Sequence, residues 1–172
     1  MAHPPVPRDL IDAIKLIYEV AGLKVTRQPQ SEAESIDYGA ARLGLDARAF
    51  VFRIAKTTPT KVGQFVTLWK REALGGPIAP LDAADNIDLV VVAVAGDDQR
   101  GQFLFPAGVL VSRSVMSLDN MGGKRALRVY PPWTTPTAPD ALRSQRWQLH
   151  HYLPIARDGT ADPAEVRRLL KF

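Results

Sequence analysis

The sequence predicts an α/β (α+β) fold in which one mixed β-sheet is flanked by helices. The first observation is the length of 172 residues, which suits one domain with a substantial buried core. The second is that strand-like segments fill the middle of the chain, between helical patterns at both ends. The third is that no internal repeat or linker interrupts the sequence, so residues 1–172 are predicted to form a single domain.

The first half of the chain is predicted to contain one helix and three strands. Leu10, Ile14 and Ile17 recur at helical spacing, which predicts a helix over residues 9–21, capped by Asp9 and ended by Gly22. The polar residues 23–37 are predicted to form a loop. Alternating apolar residues then predict strands over residues 38–45, 49–56 and 64–71, with a turn at residues 46–48 between the first two.

The second half begins with a loop rich in Gly, Pro and Asp over residues 75–86. The apolar run "IDLVVVAVA", residues 87–95, is typical of a central strand that is buried on both faces. Asp140 and Asp162 occupy positions expected in the first turns of two C-terminal helices. The predicted elements are strands at 102–105 and 124–130, a short helix within 106–118, and helices at 137–153 and 162–171.

Composition indicates the cellular compartment and excludes some kinds of binding site. The chain has no cysteine, which excludes disulfides and thiolate metal sites and favours a reducing compartment. We find no apolar run of the length that a membrane span needs, and the first ten residues lack the apolar centre of a signal peptide. A cytoplasmic protein without a membrane partner is therefore expected.

Charge is distributed unevenly along the chain, although the net charge is only +4. Residues 51–80 contain five basic and one acidic side chain, whereas residues 81–100 contain one basic and five acidic. Residues 101–153 are basic again, with six basic and two acidic side chains. Two basic blocks brought together by folding would attract a polyanion. The alternative is that each charged run only forms a solvent-exposed surface of the protein.

The first basic block centres on "RIAKTTPTKVGQFVTLWKR", residues 53–71, which contains five basic residues, four threonines and no acid. Lys56, Thr58 and Lys61 surround a predicted turn, and ammonium and hydroxyl groups are common donors to phosphate oxygens. The glycine spacing of a phosphate-binding P-loop is absent. Trp69 lies beside Lys70 and Arg71, a combination that can stack a base next to a cation.

The second basic block, "GKRALRVYPPWT" and the helix after it, repeats the combination of cations with aromatic rings. Each lysine could instead keep a sheet edge soluble, and each tryptophan could instead pack in the core. The candidate nucleic-acid-binding residues from both blocks are Lys56, Thr58, Lys61, Trp69, Lys70, Arg71, Lys124, Arg125, Arg128, Tyr130, Trp133, Arg143 and Trp147.

Catalytic patterns are weak in this sequence. His150 and His151 are adjacent, so on a helix they point in directions unsuited to one metal ion. Asp85 and Asp88, with Asp82, precede the apolar strand and form the fallback metal site, because clustered carboxylates can hold Mg²⁺. In "PLDAADNID" the same residues also suit turns and caps. No cofactor and no catalytic residue is predicted.

Several blocks together resemble one known family. "ESIDYGAARLGLD", "RIAKTTPTKVGQFVTLWKR", "GQFLFP", "GKRALRVYPPW" and "SQRWQLHHYL" resemble the MepB family over about residues 31–153. The resemblance implies a fold like the PD-(D/E)XK endonuclease core, with the nuclease residues lost and with binding of nucleic acid, single strands included. Where such a nuclease has acid-x-lysine, this chain reads Gln102-Phe103-Leu104, or Leu68-Trp69-Lys70 in an alternative alignment, so no cleavage is expected.

The sequence therefore predicts a non-catalytic protein that binds nucleic acid, favouring single-stranded RNA or DNA, through a basic groove lined by aromatic rings. It points to no small-molecule substrate. Two alternatives remain at this point. One is a metal-dependent nuclease with a degenerate active site that uses Asp85, Asp88 and a lysine. The other is an interaction module whose basic surface binds an acidic protein.

Overall fold

The computed structural model describes residues 4–171, and its centre is a mixed sheet of six strands flanked by helices. The strands are β1 (Val25–Ser31), β2 (Ala41–Leu45), β3 (Arg48–Ile54), β4 (Lys56–Thr57), β5 (Gln64–Thr67), β6 (Trp69–Arg71), β7 (Ile78–Pro80), β8 (Leu89–Ala95), β9 (Arg100–Pro106), β10 (Ala126–Val129) and β11 (Tyr152–Ile155). The α-helices are α1 (Arg8–Ala13), α2 (Ala107–Ser112), α3 (Pro139–Gln148) and α4 (Pro163–Leu169).

The six-stranded sheet, here called the main sheet, has the order β1-β2-β3-β8-β9-β11. Strands β3 and β8 pair in parallel, with Phe50 opposite Leu89, and the other neighbours pair antiparallel. Residues 89–94 of β8 are all buried, as the valine run predicts for a strand covered on both faces. The predicted mixed sheet flanked by helices is confirmed.

Two apolar clusters cover the two faces of the main sheet. On one face, α1, the π-helical turn Ile14–Tyr18 and α4 pack through residues such as Leu10, Ile17 and Val166. On the other face, α2 and the strands β5 and β10 contribute, among others, Leu110, Val66 and Val129. Each layer buries one face of its elements against the main sheet, which is the usual way in which a mixed sheet is completed.

The first short sheet, here called the small sheet, has the order β10-β5-β4, and the second contains β6 and β7. The outer edge of β10 would leave backbone groups unpaired, and Gln148 of α3 pairs with two of them. Its Oε1 accepts from the Tyr130 N–H at 2.9 Å, and its Nε2 donates to the Arg128 carbonyl at 3.0 Å. A glutamine side chain that is 0% exposed thus takes the place of a further strand.

Three predicted boundaries near the N-terminus and in the middle of the chain are wrong. The segment 23–37 is not all loop, because β1 pairs with β2 through a ladder whose register shifts accommodate Pro29. The strand predicted at 64–71 is two strands, β5 and β6, which belong to different sheets on either side of Leu68. Residues 75–86 include β7 and a 3-10 turn, Ala83–Asp85, that Asp82 and Asp85 cap reciprocally.

The helical predictions are confirmed in position but corrected at their ends. The first helix starts after Pro7, without a side-chain cap from Asp9, and the chain leaves it at Gly22, whose φ is +97°. The helix predicted over 137–153 starts at Pro139 and ends at Gln148, since Tyr152–Ile155 joins the main sheet as edge strand β11. Asp162 caps α4 as predicted, by accepting from the Ala164 N–H.

Within residues 4–171, we find no helix long and apolar enough to cross a membrane. Residues 1–3 and 172 of the predicted single domain lie outside the described part of the chain.

Candidate nucleic-acid interface

The outward face of the small sheet carries a row of cationic and aromatic side chains. Arg128 of β10 lies opposite Phe65 of β5, and Phe65 lies opposite Lys56 of β4. Because side chains alternate along a strand, the neighbours Val66 and Val129 point the other way and are buried in the core. The register therefore places two cations on either side of one aromatic ring.

Tyr38 extends this row from outside the sheet. Its ring meets Phe65 edge-on, with 5.9 Å between the ring centroids, and Lys56 Nζ lies 4.8 Å from the Tyr38 centroid. Arg128 Cζ lies 5.8 Å from the centre of Phe65. We call Lys56, Tyr38, Phe65 and Arg128 the cation–aromatic row. Its geometry is that of favourable cation–π and edge-to-face contacts.

Arg128 also shapes the loop that joins β4 to β5. Its Nη1 donates to Thr58 Oγ1 at 3.1 Å and to the carbonyl oxygens of Val62 and Gly63 at 3.3 Å. Gly63 has a φ of +87°, and a Cβ there would lie 2.8 Å from the ring of Tyr130, so only glycine fits this turn. The loop is thereby held beside the row, with Lys61 exposed on it.

The cations on and around this face are not neutralised. Within residues 4–171, none of the five makes an ion pair with a carboxylate, and all but Arg128 are strongly exposed. They are Lys56, Lys61, Lys124, Arg125 and Arg128. With Thr58 and Tyr130, they are the seven sequence-predicted residues that the fold brings to one sheet and its adjoining loops, here called the basic face.

Three other predicted residues lie on β6 and are engaged by acids. Lys70 Nζ binds Asp85 Oδ1 at 2.6 Å and Glu72 at 3.5 Å. Partial burial alone lowers the pKa of Lys70, but the hydrogen bond and charge of Asp85, with Glu72, raise it overall. Glu34 binds Arg71 Nε at 2.8 Å through one oxygen and accepts from Trp69 Nε1 at 3.0 Å through the other. These three predicted residues of β6 therefore pair with acids and lie outside the small sheet.

The predicted residues after β10 also serve other contacts. The Trp133 ring packs on Tyr152 and lies close to Gly96, while Trp147 packs on Phe105 of β9. Arg143 pairs with Asp140 one turn away on α3. Both tryptophans are partly buried against the main-sheet core, so the alternative of core packing applies to them. Sequence spacing did not distinguish these rings from rings on an outer face.

The fallback metal site is not assembled. Asp88 Oδ2 accepts from the Ala49 N–H at 2.7 Å, whereas Asp85 binds Lys70 and the backbone of Asp82. Within the described residues, no group of three His, Asp or Glu side chains is positioned to hold a metal ion. Asp88 and Gln102 are the two positions that were compared with a nuclease motif. Gln102 pairs with Ala93, which is five residues after Asp88, so Asp88 and Gln102 lie at different ends of β8.

Asp82 has a structural role that predicts a pH dependence of stability. The carboxylate is buried and accepts from Ser117 Oγ at 2.6 Å and from the N–H groups of Ala84 and Asn120, which together hold its pKa below the ordinary value of 3.8. Because the pKa of Asp82 is lower in the folded state, the ionised carboxylate stabilises the fold above about pH 4. This stabilisation is lost as the pH falls further.

We therefore expect Asp82→Asn to lower the free energy of unfolding at neutral pH. In acid, the free energies of unfolding of the variant and the wild type should become more similar. Urea unfolding between about pH 7 and pH 3 measures this. The control is Asp37→Asn, which changes an exposed acid. An Asp82→Asn deficit that is equal at all pH values would contradict the assignment.

Two members of the row, Tyr38 and Phe65, were not among the predicted site residues. Phe65 alternates with core residues in β5, and that alternation is a signal which the sequence contains. Tyr38 gives no such signal, since it precedes β2 by three residues and reaches the small sheet only through the tertiary fold.

Comparison with known proteins agrees with the resemblance found in the sequence. A family model described as MepB-like matches residues 32–154. The crystal structure of MepB is similar to this structure, with a TM-score of 0.71 and 30% sequence identity, and the match covers 74% of this chain and 85% of that chain. No curated protein matches the sequence. The family match covers well over half of the chain, and the chain belongs to the MepB-like family.

Proposed function

We propose that this protein binds single-stranded nucleic acid on the basic face of the small sheet and does not cleave it. The observation that carries the proposal is the cation–aromatic row, together with the unpaired cations beside it. Ammonium and guanidinium groups neutralise phosphates, and the exposed parts of the rings give bases a surface on which to stack. Trp69, Lys70 and Arg71 are not part of this proposed surface, because acids engage them.

The absence of cleavage is proposed from the residues themselves. Metal-assisted hydrolysis needs carboxylates that hold the cation which activates water. Asp88 accepts from the Ala49 backbone and Asp85 pairs with Lys70, while Gln102, the residue compared with the nuclease acid, is an amide at the other end of β8 from Asp88. Incubation of labelled RNA and DNA with Mg²⁺ or Mn²⁺ tests this: intact strands are expected, and cleavage that Asp88→Asn abolishes would favour the nuclease alternative.

Binding is expected to depend on salt as a multi-phosphate contact does. About four engaged phosphates on a single strand give a slope near −3 for the logarithm of affinity against the logarithm of salt concentration. Fluorescence anisotropy with single-stranded RNA, single-stranded DNA and duplex, at several salt concentrations, measures the slope and the preference. Affinity that does not change with salt would contradict phosphate binding, and binding of an acidic protein but of no oligonucleotide would favour an interaction module.

The double variant Lys56→Ala/Lys61→Ala is expected to weaken single-strand binding about tenfold and to reduce the salt slope by about 1.4, since two phosphate contacts are removed. Both lysines are exposed, so the fold should be unaffected. The matched control is Lys15→Ala/Lys24→Ala, which removes the same charge from exposed positions near α1 and β1. Equal weakening by both double variants would show that net charge acts rather than the basic face.

A further inference from the structure

A cavity of about 220 Å³ lies between α1 and the carboxyl ends of the parallel strands β3 and β8. Its walls are largely apolar and include Ala13, Ile17 and Ile54. The crevice at the carboxyl ends of parallel strands is where open α/β sheets commonly bind ligands. It lies on the α1 side of the main sheet, whereas the small sheet covers the opposite side, so it is separate from the basic face.

A buried amide lines this cavity with an unused donor. Gln102 of β9 is only 2% exposed, and its Oε1 accepts from the hydroxyl of the fully buried Tyr18 at 2.6 Å. Burial raises the pKa of Tyr18, so the phenol keeps the proton that it donates to Gln102 Oε1. Within residues 4–171, Gln102 Nε2 has no hydrogen-bond partner and is not fully enclosed, as a donor that faces the cavity would be. Tyr18 therefore holds the amide with its N–H groups available to a bound oxygen.

The rim of the cavity is acidic. Asp9 and Asp12 lie one turn apart on α1, both are exposed, and neither makes an ion pair within the described residues. The cation at the rim, Arg100, is directed at the carbonyl oxygens of Ala156 and Arg157, at 3.5 and 3.2 Å. The two carboxylates are therefore left to face a positively charged ligand.

We propose that this cavity binds a small organic cation that also carries a carbonyl oxygen. The cationic group pairs with Asp9 and Asp12, the carbonyl oxygen accepts from Gln102 Nε2, and a short apolar stem lies along Ala13 and Ile17. Charge attraction at the rim and one oriented hydrogen bond inside an apolar pocket are the features that give small-molecule sites their specificity. The proposal does not depend on nucleic-acid binding.

The test uses the full chain and four probes, each built on a four-carbon skeleton. They are 4-aminobutanamide (cation and amide), butanamide (neutral amide), butylammonium (cation alone) and succinamate (anion and amide). Saturation-transfer NMR and titration calorimetry at millimolar concentrations are expected to show binding of 4-aminobutanamide, with the neutral amide and the simple cation at least about tenfold weaker. Failure of 4-aminobutanamide to bind, or equal binding of succinamate, would overturn the proposal.

Two variants locate the site. Asp9→Asn/Asp12→Asn is expected to weaken 4-aminobutanamide binding at least about tenfold, while Asp37→Asn/Asp119→Asn, an equal change of charge at exposed positions elsewhere, leaves it unchanged. Tyr18→Phe releases the Gln102 amide and is expected to remove the preference for 4-aminobutanamide over butylammonium. All four acids are exposed, so the charge variants should fold. Equal affinity of both charge variants would show that the cation does not bind at this rim.

Discussion

Replacing Glu32 by alanine is expected to lower the free energy of unfolding by about 3 kcal/mol, because it leaves a buried cation without its counter-charge. Arg53 of β3 is 1% exposed, and its Nη1 lies 3.2 Å from Glu32 Oε1. Its Nε donates to the Thr67 carbonyl of β5 at 3.2 Å, so the guanidinium also joins the main sheet to the small sheet. Burial lowers the pKa of Arg53, and the charge of Glu32 opposes that shift.

Urea unfolding followed by circular dichroism measures this loss. The matched control is Arg42→Ala, which removes the other ion pair of Glu32, at 2.8 Å, from a side chain that is 42% exposed. A loss below about 1 kcal/mol is expected there, since exposed pairs contribute little. Adding Arg53→Met to Glu32→Ala should recover part of the stability, because no unpaired charge is then buried. Equal losses for Glu32→Ala and Arg42→Ala would refute the argument.

Replacing Gln148 by leucine is expected to destabilise the protein by about 3 kcal/mol, because two partly buried backbone groups lose their partners at once. Leucine fills a similar volume, but it can neither accept from the Tyr130 N–H nor donate to the Arg128 carbonyl. The same change frees the outer edge of β10, which carries Arg128 of the cation–aromatic row. Chemical unfolding should therefore show a lower free energy of unfolding, and the anisotropy assay should show weaker binding of single-stranded nucleic acid.

Gln148→Glu separates the two hydrogen bonds. The carboxylate still accepts from the Tyr130 N–H, but it faces the Arg128 carbonyl without a proton and is buried as a charge. Burial raises a carboxyl pKa, so this destabilisation is expected above that pKa and is relieved as the pH falls, when the protonated acid can donate. A variant whose deficit grows in acid would contradict the role given to the amide.

The sequence predicted about half of the candidate site. The loop cations Lys56 and Lys61 and the strand cation Arg128 were found from the composition of two basic segments, and the fold brings them together on one sheet. Trp69 and Arg71 were predicted with them, but Glu34, more than thirty residues earlier, binds both side chains. An ion pair between distant residues leaves no local periodicity or spacing that could have indicated it.

The same reason explains the errors in the fold. The strand β1 contains Pro29 and polar side chains, so nothing in its own residues indicated that it would pair with β2 at the sheet edge. The single strand predicted at residues 64–71 alternates correctly, yet Leu68 separates two sheets that pair with different partners. Propensity describes a segment alone, while strand pairing depends on what lies beside it.

By itself, the sequence determined the central buried strand, the mixed sheet with flanking helices, the family and the basic character of two segments. The family follows from the resemblance of several sequence blocks, and the other features follow from local patterns of apolar and charged residues. Only the tertiary structure decided which cations stay free and which pair with acids, and that Tyr38 and Phe65 join Lys56 and Arg128. Those outcomes depend on contacts between residues distant in sequence, whose energies are set by burial and geometry after folding.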